Sequence, residues 1–466
     1  RHVFTDPDPD PQVSFEERER LYHLPSSSWA DYNPDLISEG GGVFERGAKM
    51  VPTTPQIRAA LGLAEDTEEL SPTDLIRAAL RAPVDLIYNG GIGTYIKAST
   101  ESNAEIGDPA GDSVRVDASE LRARVIVEGG NLGVSQRGRI EAAKAGIAVN
   151  TDAIDNSAGV TTSDKEVNLK ILFTGLIRDG EITLEERNDL LQEMTDEVAE
   201  QVLTTNYEQN VLLSNTLLTA GRMLPVHQRV IHWLEERGDL VRALEDLPDD
   251  AELNGRRAEG KGLTQPELAV VIAYSKLALK ADLTDSTLAD DPWFAAVLAE
   301  YFPAPVRERF PGALEAHPLR SNLIVNEVAN SMVNRGGLTF AYRAMDETGA
   351  DPATIARAYM ASREIFRISE YMNAVGEADN HVPAHVQSEL YMLFRRALDR
   401  SVRHFLIYRP EFDLTEAIER LTPLLTELQA DLPDLLVGAE AEQYEAAKSA
   451  YLEAGVSEGL AAWGAG

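Results

Sequence analysis

Short β-rich runs closed by Gly, Asn or Asp occur only in the first 165 of the 466 residues, and helical patterns occupy the remainder. The runs are His2-Val3-Phe4-Thr5-Asp6, Asp85-Leu86-Ile87-Tyr88, Arg124-Val125-Ile126-Val127-Glu128 and Gly146-Ile147-Ala148-Val149-Asn150. Three of them are continuously apolar at the centre, which suits strands buried on both faces of a parallel sheet. Helical stretches fit between them. Thr54-Pro55 opens one that closes at Gly62, Ser71-Pro72 opens a second that reaches Leu80, and a third runs from about Ser135 to Ala145. The first has a capping hydroxyl, Pro in the first turn and Gly past the end, the usual start and stop signals. Strand and helix in alternation read as a doubly wound α/β sheet.

Beyond residue 165 the strand signals stop. Thr183-Leu184-Glu185-Glu186 is a capping box, and Leu184, Leu191, Met194, Val198 and Val202 follow at helical spacing. Further starts stand at Thr264-Gln265-Pro266-Glu267, Asp351-Pro352 and Asp413–Glu416. After the last, Leu414, Ile418, Leu421, Leu425 and Leu428 make one apolar stripe. The expected fold is therefore α/β and then all-α, with irregular segments at Pro248–Gly262 and Gly376–Val382.

Composition narrows the function. Forty-three basic against 77 acidic residues leave a net charge of −34, which repels phosphate backbones and anionic lipid. Nucleic-acid and membrane partners are not expected. The absence of Cys removes disulfide scaffolds, thiolate metal sites and Cys nucleophiles together. No apolar run approaches the roughly 18–20 residues that a membrane span needs. No metal site is expected: there is no His-Glu-x-x-His, and Pro383 separates His381 from the helix that carries His385. A cytoplasmic piece of a longer chain is the expectation.

Four places could carry a ligand. Asn89-Gly90-Gly91-Ile92-Gly93 follows a strand, but the third position of a dinucleotide fingerprint is Ile96 rather than Gly. A tight turn at the carboxyl end of the strand is the better reading, and open α/β sheets bind ligands at those ends. Glu128-Gly129-Gly130-Asn131 and Asp152–Ser163 each set an Asn amide among small residues beyond a strand. A carboxamide donates and accepts in one plane, as a nicotinamide carboxamide or a ribose hydroxyl requires. The same Asn residues would serve equally well to close left-handed turns. Asp6 fits an acceptor for a ribose hydroxyl at a strand tip, or a turn residue in Asp6-Pro7-Asp8-Pro9-Asp10. Pattern alone leaves each pair of readings open.

At these residues the chain resembles the large NAD-dependent glutamate dehydrogenases of bacteria, in the later part of their catalytic region and the helical region after it. Runs that carry the likeness include Gly90–Tyr95, Glu128–Gly133, Gln136–Ala143 and Asn150–Val160. In the helical part they include Leu263–Val270, His317-Pro318-Leu319-Arg320 and Met332–Gly337. Asn156–Ser163 is similar to the Asn-Ala-Gly-Gly-Val-x-x-Ser stretch of the wider amino-acid dehydrogenase superfamily. By that match Asn156 contacts the nicotinamide end of the cofactor, and Val160 and Ser163 line the substrate pocket. The Ser163 hydroxyl suits the distal carboxylate of glutamate. Asn131 matches a cofactor-side Asn, with Gly130 in place of the usual Ala. Asn89, Gly90 and Gly91 join the cofactor-binding set, and Asp6 suggests NAD rather than NADP.

The resemblance also implies what to expect elsewhere. Residues 1–165 should be a partial NAD-binding, Rossmann-like domain that lacks its first strand and Gly-rich turn. Residues 166–466 should be helical, with a division into two subdomains near 248–262. The Lys and the acidic residue of the substrate domain belong upstream of Arg1, so no catalytic residue is expected here; Lys49 and Lys97 lie outside that motif. Ala158 stands for a Gly of the shorter enzymes, and Asp155 for a small apolar residue. The implied reaction is oxidative deamination of L-glutamate to 2-oxoglutarate and ammonium, by hydride transfer to NAD and hydrolysis of the imine. Expected partners are L-glutamate or 2-oxoglutarate, the N-terminal part of the same polypeptide and further copies in a homo-oligomer. The alternative is a non-catalytic helical regulatory or assembly module carrying a degenerate nucleotide-binding fold.

Overall fold

Three parallel strands, Leu86–Asn89, Val125–Glu128 and Ala148–Val149, lie side by side in that order. The computed structural model describes residues 1–466, in two units: residues 1–157 with 264–267, and residues 158–263 with 268–466.

In the first unit, β1 (His2–Thr5) pairs antiparallel with β2 (Gly42–Glu45), and β3 (Val51–Pro52) with β4 (Glu69–Leu70). The parallel sheet is β5 (Leu86–Asn89), β8 (Val125–Glu128) and β9 (Ala148–Val149), while β6 (Ile96–Lys97) and β7 (Val116–Asp117) form a parallel pair. Helices α1 (Pro11–His23), α2 (Pro55–Leu61), α3 (Pro72–Leu80), α4 (Asn103–Ile106), α5 (Gln136–Lys144) and α6 (Asp152–Asp155) connect them. Caps set several of these ends. Thr54 accepts from Ile57 N, and Gly62 takes a left-handed φ of 61° that a Cβ would disfavour. Ser71 and Ser135 cap α3 and α5 in the same way.

Two strand expectations need correction. The sheet is not buried on both faces: Ile126 and Glu128 are buried, but Leu86 and Tyr88 are 51% and 65% exposed. The core of Ile96, Val116, Ile126, Val134, Ala142 and Val149 lies on the side that α5 covers. Nor does β1 join that sheet. Phe4 stacks on Trp29 at 4.7 Å and meets Tyr32 at 4.8 Å, so an aromatic cluster and the β2 ladder hold the strand locally.

The second unit is helical. Its early helices are α7 (Ser157–Arg178), α8 (Leu184–Glu193), α9 (Thr195–Leu218), α10 (Ala220–Glu236), α11 (Asp250–Ala258) and α12 (Gln265–Thr284). The first residues of α7 and α12 fall in the first unit, and Gln265 there donates to Asn150 Oδ1 at 2.6 Å. The capping box at Thr183 forms, but the stripe after it breaks at Met194, where α8 ends and α9 begins. The segment Pro248–Gly262 is not irregular. Asp249 caps α11 by accepting from Glu252 N, and Leu253 and Arg256 are buried. The largest buried side chains include Tyr359 and Tyr371. Tyr359, on the helix Pro352–Ile365, donates to the Ser331 carbonyl at 2.9 Å. No helix is long and apolar enough to cross a membrane.

Candidate functional site

The carboxyl ends of β5, β8 and β9 share one side of the parallel sheet, and the turns beyond them hold the Asn residues singled out above. β8 ends at Glu128, a carboxylate with no exposure that sits opposite Arg139 of α5. Arg139 Nε and Nη2 donate to its two oxygens at 2.7 and 2.9 Å, and Nη2 also reaches Asp152 Oδ1 at 2.9 Å. Burial works against a charge on Arg139, but the two carboxylates outweigh it and hold its pKa above the ordinary value. Glu128 Oε1 also accepts from Val134 N at 3.0 Å, so the carboxylate closes the turn that follows its own strand.

That turn carries Asn131. Gly130 N donates to the Asn89 carbonyl at 3.1 Å, which joins it to the turn after β5. A Cβ on Gly130 would come within 2.6 Å of the Gly91 carbonyl oxygen. Gly stands here because two backbones approach too closely for a methyl group. Asn89 Oδ1 accepts from Gly91 N at 3.4 Å, and its Nδ2 is buried with no partner.

Asn156 closes α6, and its Nδ2 donates to Asn131 Oδ1 at 2.8 Å. The structure therefore brings Asn89, Gly90, Gly91, Gly130, Asn131 and Asn156 into adjoining turns. Asp155, the departure from the family pattern, accepts from Glu128 N at 2.9 Å and from Asn150 Nδ2 at 2.6 Å. Its carboxylate fastens α6 to β8, and burial pushes its pKa up. Ala158 lies in the first turn of α7, where a methyl group is compatible with helix. Lys97 pairs with Asp117 and has a structural role.

Asp6 lies just beyond β1. Its Oδ1 accepts from Ser38 N at 2.9 Å, while Oδ2 is buried without a partner. Because β1 pairs only with β2, Asp6 is not at the tip of a strand of the parallel sheet.

Val160 and Ser163 belong to the second unit, on the first two turns of α7 rather than in a loop. Val160 is 70% exposed and Ser163 is exposed. Val160 borders a polar cavity of about 670 Å³, whose walls include Asp164, Lys165, Tyr301, Glu327 and Arg335. Lys165 is buried, with Nζ 3.6 Å from the centre of the Tyr301 ring, and desolvation lowers its pKa. No cluster of three or more His, Asp or Glu side chains is arranged to hold a metal ion.

Two family models match the chain. "Bacterial NAD-glutamate dehydrogenase, catalytic domain" matches residues 1–216, and "Glutamate dehydrogenase, C-terminal" matches residues 260–466. The chain belongs to the bacterial NAD-glutamate dehydrogenase family. Similar curated proteins carry the name NAD-specific glutamate dehydrogenase. The one from Halomonas elongata is 45% identical over 99% of this chain, and the one from Mycobacterium tuberculosis 42% over 99%. The Pseudomonas aeruginosa protein is 43% identical over the whole chain. The chain spans only 28–29% of the length of these relatives.

Within this family member, sequence reasoning missed Arg139 and Asp152. Each reads as an ordinary helix residue; the turn between β8 and α5 brings Arg139 to Glu128, and α6, after β9, brings Asp152 to Arg139. The available signal was Glu128 itself, a carboxylate ending an apolar run, since a buried charge needs a partner. The Lys165–Tyr301 contact had no signal, because 136 residues separate its members.

Proposed function

We propose that this chain supplies the cofactor-facing turns and part of the glutamate pocket of an NAD-dependent oxidoreductase that deaminates L-glutamate to 2-oxoglutarate and ammonium. The observation that carries this reading is the Asn131–Asn156 pair. Its one internal hydrogen bond leaves Asn131 Nδ2 and Asn156 Oδ1, a donor and an acceptor, beyond the carboxyl ends of parallel strands. A flat carboxamide needs that combination.

Other groups fit a dinucleotide. Asn89 Nδ2 and Asp6 Oδ2 are buried polar atoms without partners, and such atoms call for a ligand or water. NAD, when bound, accepts a hydride from the α-carbon of the amino acid. In this reading Asn131 and Asn156 orient its nicotinamide end, Asp6 receives ribose hydroxyls, and Asn89, Gly90 and Gly91 form the turn beneath. Ser163 donates a hydrogen bond to the distal carboxylate of glutamate, and Val160 supplies an apolar wall. The Lys and the acidic group that act on the 2-oxo acid belong to a part of the polypeptide outside this chain. β5 is an edge strand, and its open edge suits the first strand of a complete cofactor sheet. Exposed Leu428, Leu435 and Val437 in the helical region support homo-oligomer packing there.

The test is substrate and cofactor choice by the complete polypeptide. NAD reduction should require L-glutamate and fail with L-leucine, and NADP should replace NAD poorly. Absence of glutamate-dependent NAD reduction overturns the proposal.

A further inference from the structure

Asn131 sits in a turn whose backbone is held from both sides. Thr94 Oγ1 donates to the Leu132 carbonyl at 2.7 Å, and Tyr95 N to the Gly133 carbonyl at 2.9 Å. Leu132 N donates to Asp152 Oδ2 at 2.8 Å. Leu132 needs that anchor, because its φ of 56° lies in the left-handed region that a branched side chain disfavours, and its own side chain is 62% exposed. With most of its side chain in solvent, packing contributes little to holding the strained residue in place.

Asp152 is the joint between the two Asn turns. One oxygen fixes the residue after Asn131, and the other meets Arg139 at 2.9 Å. Asp152 is also the first residue of α6, the four-residue helix that Asn156 caps at its carboxyl end. Arg139 in turn grips Glu128 at the end of β8 with a two-point fork. A guanidinium is suited to such a site, since it presents several donors in one plane to two carboxylates. The strand end, the Asn131 turn and the Asn156 turn therefore share a single buried ion cluster.

We propose that Asp152, oriented by Arg139, is a positioning residue that sets the Asn131–Asn156 pair for the cofactor; this rests on the reading that the two Asn residues face NAD. Neither Asp152 nor Arg139 touches the cofactor. Their effect on it passes through the pair.

The experiment is NADH titration of the complete enzyme, with Asp152→Asn, Asn156→Ala and the double variant compared. The carboxamide of Asp152→Asn cannot accept from both Leu132 N and Arg139, so it loses one of the two contacts. The NADH Kd should rise about tenfold, the loss expected of one charge-assisted hydrogen bond. The double variant should bind no more weakly than Asn156→Ala alone, because residues that act through one another are not additive. Arg139→Lys, which keeps the charge without the fork, should weaken NADH binding in the same direction and gives a second test if Asp152→Asn fails to fold. An unchanged Kd in Asp152→Asn and Arg139→Lys, or fully additive losses in the double variant, overturns the positioning role. An unchanged Kd in Asn156→Ala instead overturns the reading beneath it.

Discussion

Asn156 Nδ2 donates to Asn131 Oδ1 at 2.8 Å and joins two turns 25 residues apart in sequence. Asn156→Leu removes the donor and abolishes that bond. NADH binding by the complete enzyme should weaken about tenfold, the cost of a lost hydrogen bond. Isothermal titration of the variant reads the change, and unaltered affinity would remove the pair from the cofactor site.

The approach of Gly130 to Gly91 gives a steric prediction. Gly130→Ala places a methyl group 2.6 Å from the Gly91 carbonyl oxygen, so one of the two turns must move. The variant should lose about 1–3 kcal/mol of stability, as overpacked sites do. A urea melt checks the stability. Chemical-shift or hydrogen-exchange changes confined to the 89–93 and 129–133 turns would locate the displacement.

Much of this was legible in the sequence, for identifiable reasons. The ends of α2, α3 and α5 follow from their capping hydroxyls, since a cap is a contact between near neighbours. The four strand runs were found too, because apolar β-branched residues between turn formers are a local signal. Pairing is not local. β1 pairs antiparallel with β2, and its Phe4 packs on Trp29 and Tyr32, aromatic residues with no strand signal of their own. The helix at Asp250–Ala258 was hidden by charge and glycine, which mark a loop only where nothing is buried; Leu253 is 1% exposed. In the site, the Asn residues stood out by chemistry and by resemblance. Arg139 and Asp152 became visible only once the fold had set Arg139 between Glu128 and Asp152.

His227 gives a pH prediction for the helical region. Burial without a partner for Nδ1 lowers its pKa from 6.5 to about 4. The unfolded chain takes up the proton near pH 6.5, while the folded chain resists it until about pH 4. Falling pH therefore favours the unfolded state across that window. The stability is present above pH 6.5 and lost on the way down to 4, by about 3 kcal/mol in all. His227→Leu should flatten this part of the profile of urea midpoint against pH. A slope as steep as in the parent would show that His227 is not its source.

The proposed choice of glutamate turns on Ser163, and the most direct measurement is kcat/KM for L-glutamate in the complete enzyme carrying Ser163→Ala. A hydroxyl bonded to a carboxylate contributes about 1.5–3 kcal/mol, so kcat/KM should fall by about ten- to a hundredfold. NADH affinity should stay near that of the parent, because in the proposed site the hydroxyl serves the amino acid rather than the cofactor. Unchanged kcat/KM for glutamate would contradict the central claim that this chain carries part of the glutamate pocket.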